Sequence, residues 1–253
     1  MLTYSKEGDL KVRDLSVRYS EDGPDVLHKL NFEIKPRERV GVVGRTGAGK
    51  SSLALSLLRF TERSEGSITV NGRDIEKVNL DSLRQRITII PQDPVLFSGT
   101  IRSNLDPLGD IDDSELQWAL EGSGLTGAGS GTDSGIGTES NSGTVTPVAQ
   151  ESGSGTKKIT LDTKVTAGGD NLSQGQRQLL AFARALVRRS KLVILDEATS
   201  STDHKTDERI QQTLKTSFPD SSILCIAHRL RMSFLACLPW STSNRLRYCD
   251  DFR

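Results

Sequence analysis

Val40-Gly41-Val42-Val43-Gly44-Arg45-Thr46-Gly47-Ala48-Gly49-Lys50-Ser51 is a short apolar run that breaks into a glycine-rich loop ending in Lys-Ser. Val40 to Val43 reads as a buried parallel strand entering a turn. Leu53, Leu57, Leu58 and Phe60 follow at helical spacing. Residues 44–51 fit the pattern G-x-x-x-x-G-K-[ST]. Glycines in such a loop let backbone N–H groups curl around phosphate oxygens. Lys50 can then reach the β- and γ-phosphates and Ser51 can ligate Mg²⁺, while the helix N-terminus adds a favourable dipole. A chance match in a chain of this length arises about once in a hundred, and the strand–loop–helix setting lowers that further. The reading is a nucleotide-phosphate loop.

Outward from this loop, strands and helices alternate. Upstream, Leu10, Val12, Leu15, Val17 and Tyr19 suggest a strand with one slip in its alternation, and Leu30, Phe32 and Ile34 a second strand. Downstream, Ile68 and Val70 lead into Asn71-Gly72, a hairpin-turn signal. Ile87, Ile89 and Ile90 form another strand, and Asp112 to Leu120 a short helix. Leu179, Phe182, Ala183 and Leu186 mark one face of a helix running to about Arg189. Leu192 to Leu195 is a buried strand, followed by a polar helix from about Asp203 to Leu214 and a strand at Ile223 to Ala227. This order predicts an α/β domain with a largely parallel central sheet flanked by helices.

The strand Leu192–Leu195 delivers Asp196 and Glu197 to the end of that sheet, where ligands bind in parallel α/β folds. Asp196 is placed to hold Mg²⁺, and Glu197 to orient or deprotonate a water attacking the γ-phosphate. His228 follows the strand Ile223 to Ala227 at another sheet end, and a lone histidine there reads as structural unless a family resemblance says otherwise. His28 and His204 read as structural. Gly122-Ser123-Gly124-Leu125-Thr126-Gly127 satisfies G-x-G-x-x-G, but it follows a predicted helix and lacks the strand that gives a dinucleotide fingerprint its meaning.

Composition narrows the classes. The 253 residues carry 33 basic and 33 acidic side chains, which gives no electrostatic argument for nucleic acid as a partner. No apolar run approaches the ~18–20 residues of a bilayer-spanning helix, so direct membrane insertion is not expected. The first twelve residues lack the apolar stretch of a secretory signal. Cys225, Cys237 and Cys249 are too few for a disulfide framework. From Gly122 to Thr156, Gly, Ser and Thr fill 23 of 35 positions, without aromatic or basic residues. That stretch reads as a flexible insert, because it cannot bury enough apolar surface to offset its ordering entropy.

Leu172-Ser173-Gln174-Gly175-Gln176 resembles the LSGGQ signature of ABC-transporter nucleotide-binding domains, with Gln174 for the usual glycine. In family order come Tyr19, matching the aromatic residue that stacks on adenine, and Gln92, matching the Q-loop. Ser200-Ser201-Thr202-Asp203 matches the D-loop and His228 the H-loop. The stretch from Ile90 to Pro107 further resembles the second nucleotide-binding domain of the C-type, multidrug-resistance-associated subfamily. The resemblance covers about residues 9–230. It implies the ABC type of P-loop NTPase fold, with an antiparallel β part and a helical subdomain.

The resemblance also implies a mechanism. ATP, held by Tyr19 and residues 44–52 (Ser52 included), is sandwiched against the signature of a second nucleotide-binding domain. The two domains work head to tail on the cytoplasmic face of a membrane, carried there by transmembrane domains. Glu197 polarises water, His228 contacts the γ-phosphate, and Ser51, Gln92 and Asp196 serve the Mg²⁺. Two other readings stay open: a truncated, non-catalytic ABC fragment, and a soluble ABC protein of DNA repair or translation.

Residues 231–253 leave the family pattern. The tail lacks its turn glycine and acidic residues, and Pro239 disfavours a central strand. We expect a shifted reading frame, an unspliced intron or a premature end, with apolar sheet surface left poorly covered.

Overall fold

The computed structural model describes residues 8–45, 47–126, 159–198, 204–227 and 245–248. Strands β1 (Leu10–Arg18), β2 (Leu27–Ile34), β4 (Glu62–Val70) and β5 (Arg73–Asp74) form an antiparallel sheet in the order β2-β1-β4-β5. Strands β3 (Arg39–Val43), β6 (Ile87–Ile90), β9 (Leu192–Asp196), β10 (Ser222–Ala227) and β11 (Arg245–Tyr248) form a parallel sheet in the order β11-β3-β10-β9-β6. A two-stranded ribbon joins β7 (Gly99–Thr100) to β8 (Lys164–Val165). The helices are α1 (Lys50–Leu57), α2 (Leu80–Arg86), α3 (Ile101–Leu105), α4 (Asp113–Gly122), α5 (Gln174–Arg188) and α6 (His204–Ser217). Among the described residues, no helix is long and apolar enough to cross a membrane. The architecture is the expected one: a parallel central sheet with helices, an antiparallel β part and a helical part.

The parallel strands read as unbroken apolar runs because both of their faces are buried. Leu192, Ile194, Leu224 and Ile226 join one core, shared with α1 and the antiparallel sheet. Val193, Leu195, Ile223 and Cys225 join the other, shared with α3, α4, α5 and α6. Single residues of β9 and β10 thus alternate between two cores, and the sheet is their common wall.

Local chemistry explains most of the boundaries. The slip in β1 is a register shift between Val12 and Leu15, with Asp14 at φ 45°. Asn71 and Gly72 both take positive φ, 51° and 72°, as a two-residue hairpin turn between β4 and β5 needs. Asn79 caps α2 by accepting from the N–H groups of Asp81 and Ser82.

Three expectations are corrected. The helix after the loop ends at Leu57: Arg59 turns the chain at φ 57°, and Phe60 lies outside, exposed, beneath the Arg84 guanidinium at 4.1 Å. The stretch read as an insert starts later than Gly122, because Gly122 closes α4 and Ser123 and Leu125 are fully buried. Residues 127–158 lie outside the described residues. The tail does supply a strand: β11, beyond Pro239, pairs in parallel with β3 from Val40 to Val43. Its Arg-Leu-Arg-Tyr sequence alternates with period two, which suits the sheet edge it occupies and not a buried centre.

Candidate nucleotide site

The chain leaves β3 at Val43 and reaches α1 through residues 44–49. Gly47 and Gly49 both sit at φ 82°, a conformation L side chains rarely adopt. Gly49 is fixed twice over, since a Cβ there would stand 2.5 Å from Leu27 Cδ2 and 3.2 Å from the Val26 carbonyl. Gly49 is the N-cap of α1, and no acidic residue lies in the first turn. The first N–H groups of α1, at Lys50, Ser51 and Ser52, have no acceptor within the helix, so this end is built for an anion.

Lys50 is 5% exposed, and its ammonium donates to the carbonyls of Gly44 (2.8 Å) and Arg45 (2.9 Å). The ammonium therefore lies inside the curl of the loop. Ser52 is buried, and its hydroxyl lies 2.8 Å from the Tyr19 hydroxyl. Tyr19 itself is 57% exposed, which leaves its ring available above the loop.

Register brings the acidic pair to the same edge. Ile226 pairs with Val42 on one side and with Asp196 on the other, so β9 ends beside the loop. Burial pushes the Asp196 carboxyl up from its ordinary value; a hydrogen bond from Ser51 and the charge of Lys50 oppose this, and Glu197 adds to it. Its Oδ1 is buried without a hydrogen-bond partner. A buried carboxylate oxygen lacking a protein partner, with a serine hydroxyl on the same group, is a donor set that fits a hard divalent cation such as Mg²⁺. Glu197 follows at φ 49°, and its N–H donates to the Ile226 carbonyl at 3.0 Å. The left-handed turn ends the strand direction at Glu197, at a cost of roughly 1–2 kcal/mol for a residue with a Cβ.

Ile90 pairs with Leu195, so Gln92 leaves the sheet at this same edge, exposed. The signature stands elsewhere. Leu172 is buried in the helical core, while Ser173 and Gln174 are exposed at the start of α5. Ser173 caps that helix: its hydroxyl accepts from the Gln176 N–H at 3.2 Å, and Gln176 Oε1 accepts from the Ser173 N–H at 2.9 Å. A Cβ on Gly175 would meet Thr206 Oγ1 at 2.9 Å, so glycine lets α5 approach α6 closely. Among the described residues, no hydrogen bond or ion pair links 172–176 to 44–52. Thr46, Ser200, Ser201, Thr202, Asp203 and His228 lie outside the described residues.

Sequence reading missed a polar cluster on α5. Gln178 is 1% exposed and donates to the Pro91 carbonyl at 3.2 Å. Arg184 donates to the carbonyls of Val95 and Asn104 and to the Asn104 side chain. The available signal was faint: an arginine between Ala183 and Ala185 in the middle of a largely apolar helix. Burial, and then the charge of Arg188, push the Arg184 guanidinium down from its ordinary value.

Comparison with known proteins agrees with this geometry. The family profile described as ABC transporter matches residues 27–200. The chain is 50% identical over 229 residues to the ATP-binding cassette transporter abc4 of Schizosaccharomyces pombe, covering 90% of this chain and 14% of that protein. It is 44% identical over 223 residues to ABC transporter C family member 12 of Dictyostelium discoideum, covering 88% and 15%. It is 42% identical over 228 residues to the ATP-dependent bile acid permease of Saccharomyces cerevisiae, covering 90% and 14%. The chain thus spans about 14–15% of these relatives' length. A bacterial Atm1-family ABC exporter with ATP bound superposes with a TM-score of 0.72 at 31% identity, over 89% of this chain and 35% of that one. With a matching profile over most of its length, a phosphate loop, an acidic strand end and a capped signature helix, the chain belongs to the ABC transporter family, as a nucleotide-binding domain.

Proposed function

We propose that this chain binds and hydrolyses ATP as the cytoplasmic motor domain of a C-type ABC exporter, paired head to tail with a second nucleotide-binding domain. The observation that carries the reading is the unpartnered Asp196 oxygen at the end of β9, beside Ser51 and Lys50 and followed by Glu197. Lys50 and the α1 N-terminus neutralise the β- and γ-phosphates, and the Tyr19 ring stacks on the adenine. Ser51, Asp196 and Gln92 would hold Mg²⁺, which supplies charge neutralisation across the phosphates when bound. Glu197 orients a water for attack on the γ-phosphate, and His228 contacts the same group. The exposed Ser173 end of α5 faces the partner's nucleotide, and residues 200–203 serve as the D-loop.

The C-type assignment is supported by the similarity of residues 90–107 to that subfamily and by a relative carrying its name. Coupling to transmembrane domains is supported by the small share of each transporter that this chain spans, and by a surface made for a partner. That surface is a groove of about 390 Å³ between β6 and α5, with Val95 and Phe97 exposed along its wall. We assign it to the transmembrane domains, which would keep this domain at the cytoplasmic face of a membrane.

The test is ATP binding and turnover by the purified chain beside Glu197→Gln. The expected result is undiminished ATP affinity with turnover reduced by about a hundredfold or more in the variant. Tight binding without turnover in both proteins would replace this reading with that of a non-catalytic ATP-binding fragment.

A further inference from the structure

Pro91 to Ser98, between β6 and β7, holds no regular structure, and this stretch, with β7 and α3 after it, is fastened to α5. Gln178, in the second turn of α5, donates to the Pro91 carbonyl, the residue next to Gln92. Arg184, about 9 Å further along the helix axis, bridges two parts of the segment. Its Nη1 donates to the Val95 carbonyl at 2.6 Å, its Nε to the Asn104 carbonyl at 2.8 Å, and its Nη2 to Asn104 Oδ1 at 2.6 Å. Asn104 is 2% exposed and closes the loop from inside. Its Nδ2 donates to the carbonyls of Phe97 (2.8 Å) and Thr100 (2.9 Å), and its Oδ1 accepts from the Phe97 N–H (3.0 Å). Among the described residues no carboxylate pairs with Arg184; its half-buried charge is met by backbone and amide oxygens and by the Phe97 ring, 5.8 Å from its guanidinium carbon.

A guanidinium spent on three acceptors, one in the loop after β6 and two on Asn104 of α3, specifies geometry, because its fork is planar and its donors diverge at fixed angles. We propose that Arg184 and Gln178 are positioning residues: they lock segment 91–105, with Gln92 near its start, onto the helix whose cap is Ser173. The loop beside this chain's own phosphate site and the surface offered to a partner's nucleotide then move as one body. The inference rests on the ATP-dependent reading above only for its effect on turnover; the lock itself is a property of the fold.

Two readouts test it in the full chain. In amide exchange, Mg²⁺-ATP slows exchange of residues 91–97 and also of 173–178 in the wild type, by at least about tenfold. In Arg184→Met and in Gln178→Met, protection of the phosphate loop remains and the added protection at 173–178 disappears. In turnover, both variants keep KM for ATP within about twofold and lose kcat by about tenfold. Arg184→Lys stays at least about fivefold down, since one ammonium cannot span Val95 and Asn104, and Arg188→Met, which removes only a neighbouring charge, stays at wild-type rate. Nucleotide-induced protection at 173–178 that persists in folded Arg184→Met or Gln178→Met overturns the proposal. So does a wild type in which nucleotide never reaches 173–178, or a kcat within twofold of wild type in both variants. If the wild type binds ATP without turnover, the hydrolytic reading fails while the exchange experiment still decides the lock. If Arg184→Met does not fold, Gln178→Met, which removes a single hydrogen bond at similar volume, carries the decision.

Discussion

Replacing Asp196 with asparagine should make the free protein more stable and the nucleotide-loaded protein less so. The carboxylate at the end of β9 has one buried oxygen without a partner, and burial raises its pKa. A buried unsatisfied polar atom costs about 1–3 kcal/mol. Asparagine keeps an acceptor for Ser51 and removes the charge, but it introduces an NH₂ that needs acceptors of its own. The net gain at neutral pH is about 1 kcal/mol, or about 2–4 °C in Tm for a chain of this size. A carboxyl whose pKa is raised on folding contributes its stability fully below the unfolded pKa and loses it as pH rises through the folded one. The advantage of Asp196→Asn is therefore largest at neutral pH and closes on acidification. With Mg²⁺-ATP at 100 times its Kd, the wild type gains about 2.7 kcal/mol, and the order of the two melting temperatures inverts. Thermal melts from pH 4.5 to 7.5, with and without Mg²⁺-ATP, measure all of this. A free Asp196→Asn that melts below the wild type at pH 7.5 would refute the reasoning. A Mg²⁺ dependence of ATP binding equal to that of the wild type would refute it independently.

Gly49→Ala should reduce ATP affinity at least tenfold and destabilise by more than 1 kcal/mol, because its Cβ meets Leu27 at 2.5 Å in a backbone held at φ 82°; a nucleotide titration and a urea melt read both. Ser173→Ala removes the cap of α5 and should cost about 1 kcal/mol in a urea melt, leaving ATP affinity of the isolated chain unchanged. Tyr19→Phe breaks the hydroxyl contact with Ser52, yet keeps the ring: ATP affinity should stay within about twofold, whereas Tyr19→Ala loses about tenfold. Phe182→Ala empties the centre of the helical core, where Phe182 is fully buried, and should cost about 3–5 kcal/mol in the same melt.

What could be read in the chain follows from which forces leave a period. β3, β9 and β10 are buried on both faces, and their apolar runs announce them. α5 carries an apolar stripe that announces the helix, and the structure adds the capping box that starts it at Ser173. The short elements leave no such mark. α2 buries only Leu83, and β7 and β8 are two residues each, so they exist through the contacts around them. The site divided along the same line. Lys50, Ser51, Asp196 and Glu197 stand in local patterns whose chemistry can be argued residue by residue. The clamp made by Gln178, Arg184 and Asn104 joins positions 80 or more residues apart, and no local pattern carries it. β11 was missed for a related reason: Pro239 speaks against a strand around itself and says nothing about an edge strand several residues later.

The order β11-β3-β10-β9-β6 has a consequence in time as well as in space. Arg39 of β3 pairs with Ile223, 184 residues later in the chain, and Val40 pairs on the other side with Arg245. During synthesis at ~5–20 residues per second, the strand that feeds the phosphate loop waits roughly 9–37 seconds before either neighbour has been made. For that interval both of its hydrogen-bonding edges are open, and the loop that follows has no wall to stand against. A nascent chain halted before residue 222 should be bound by chaperones and fail to retain ATP, even though every residue of residues 44–52 is already present.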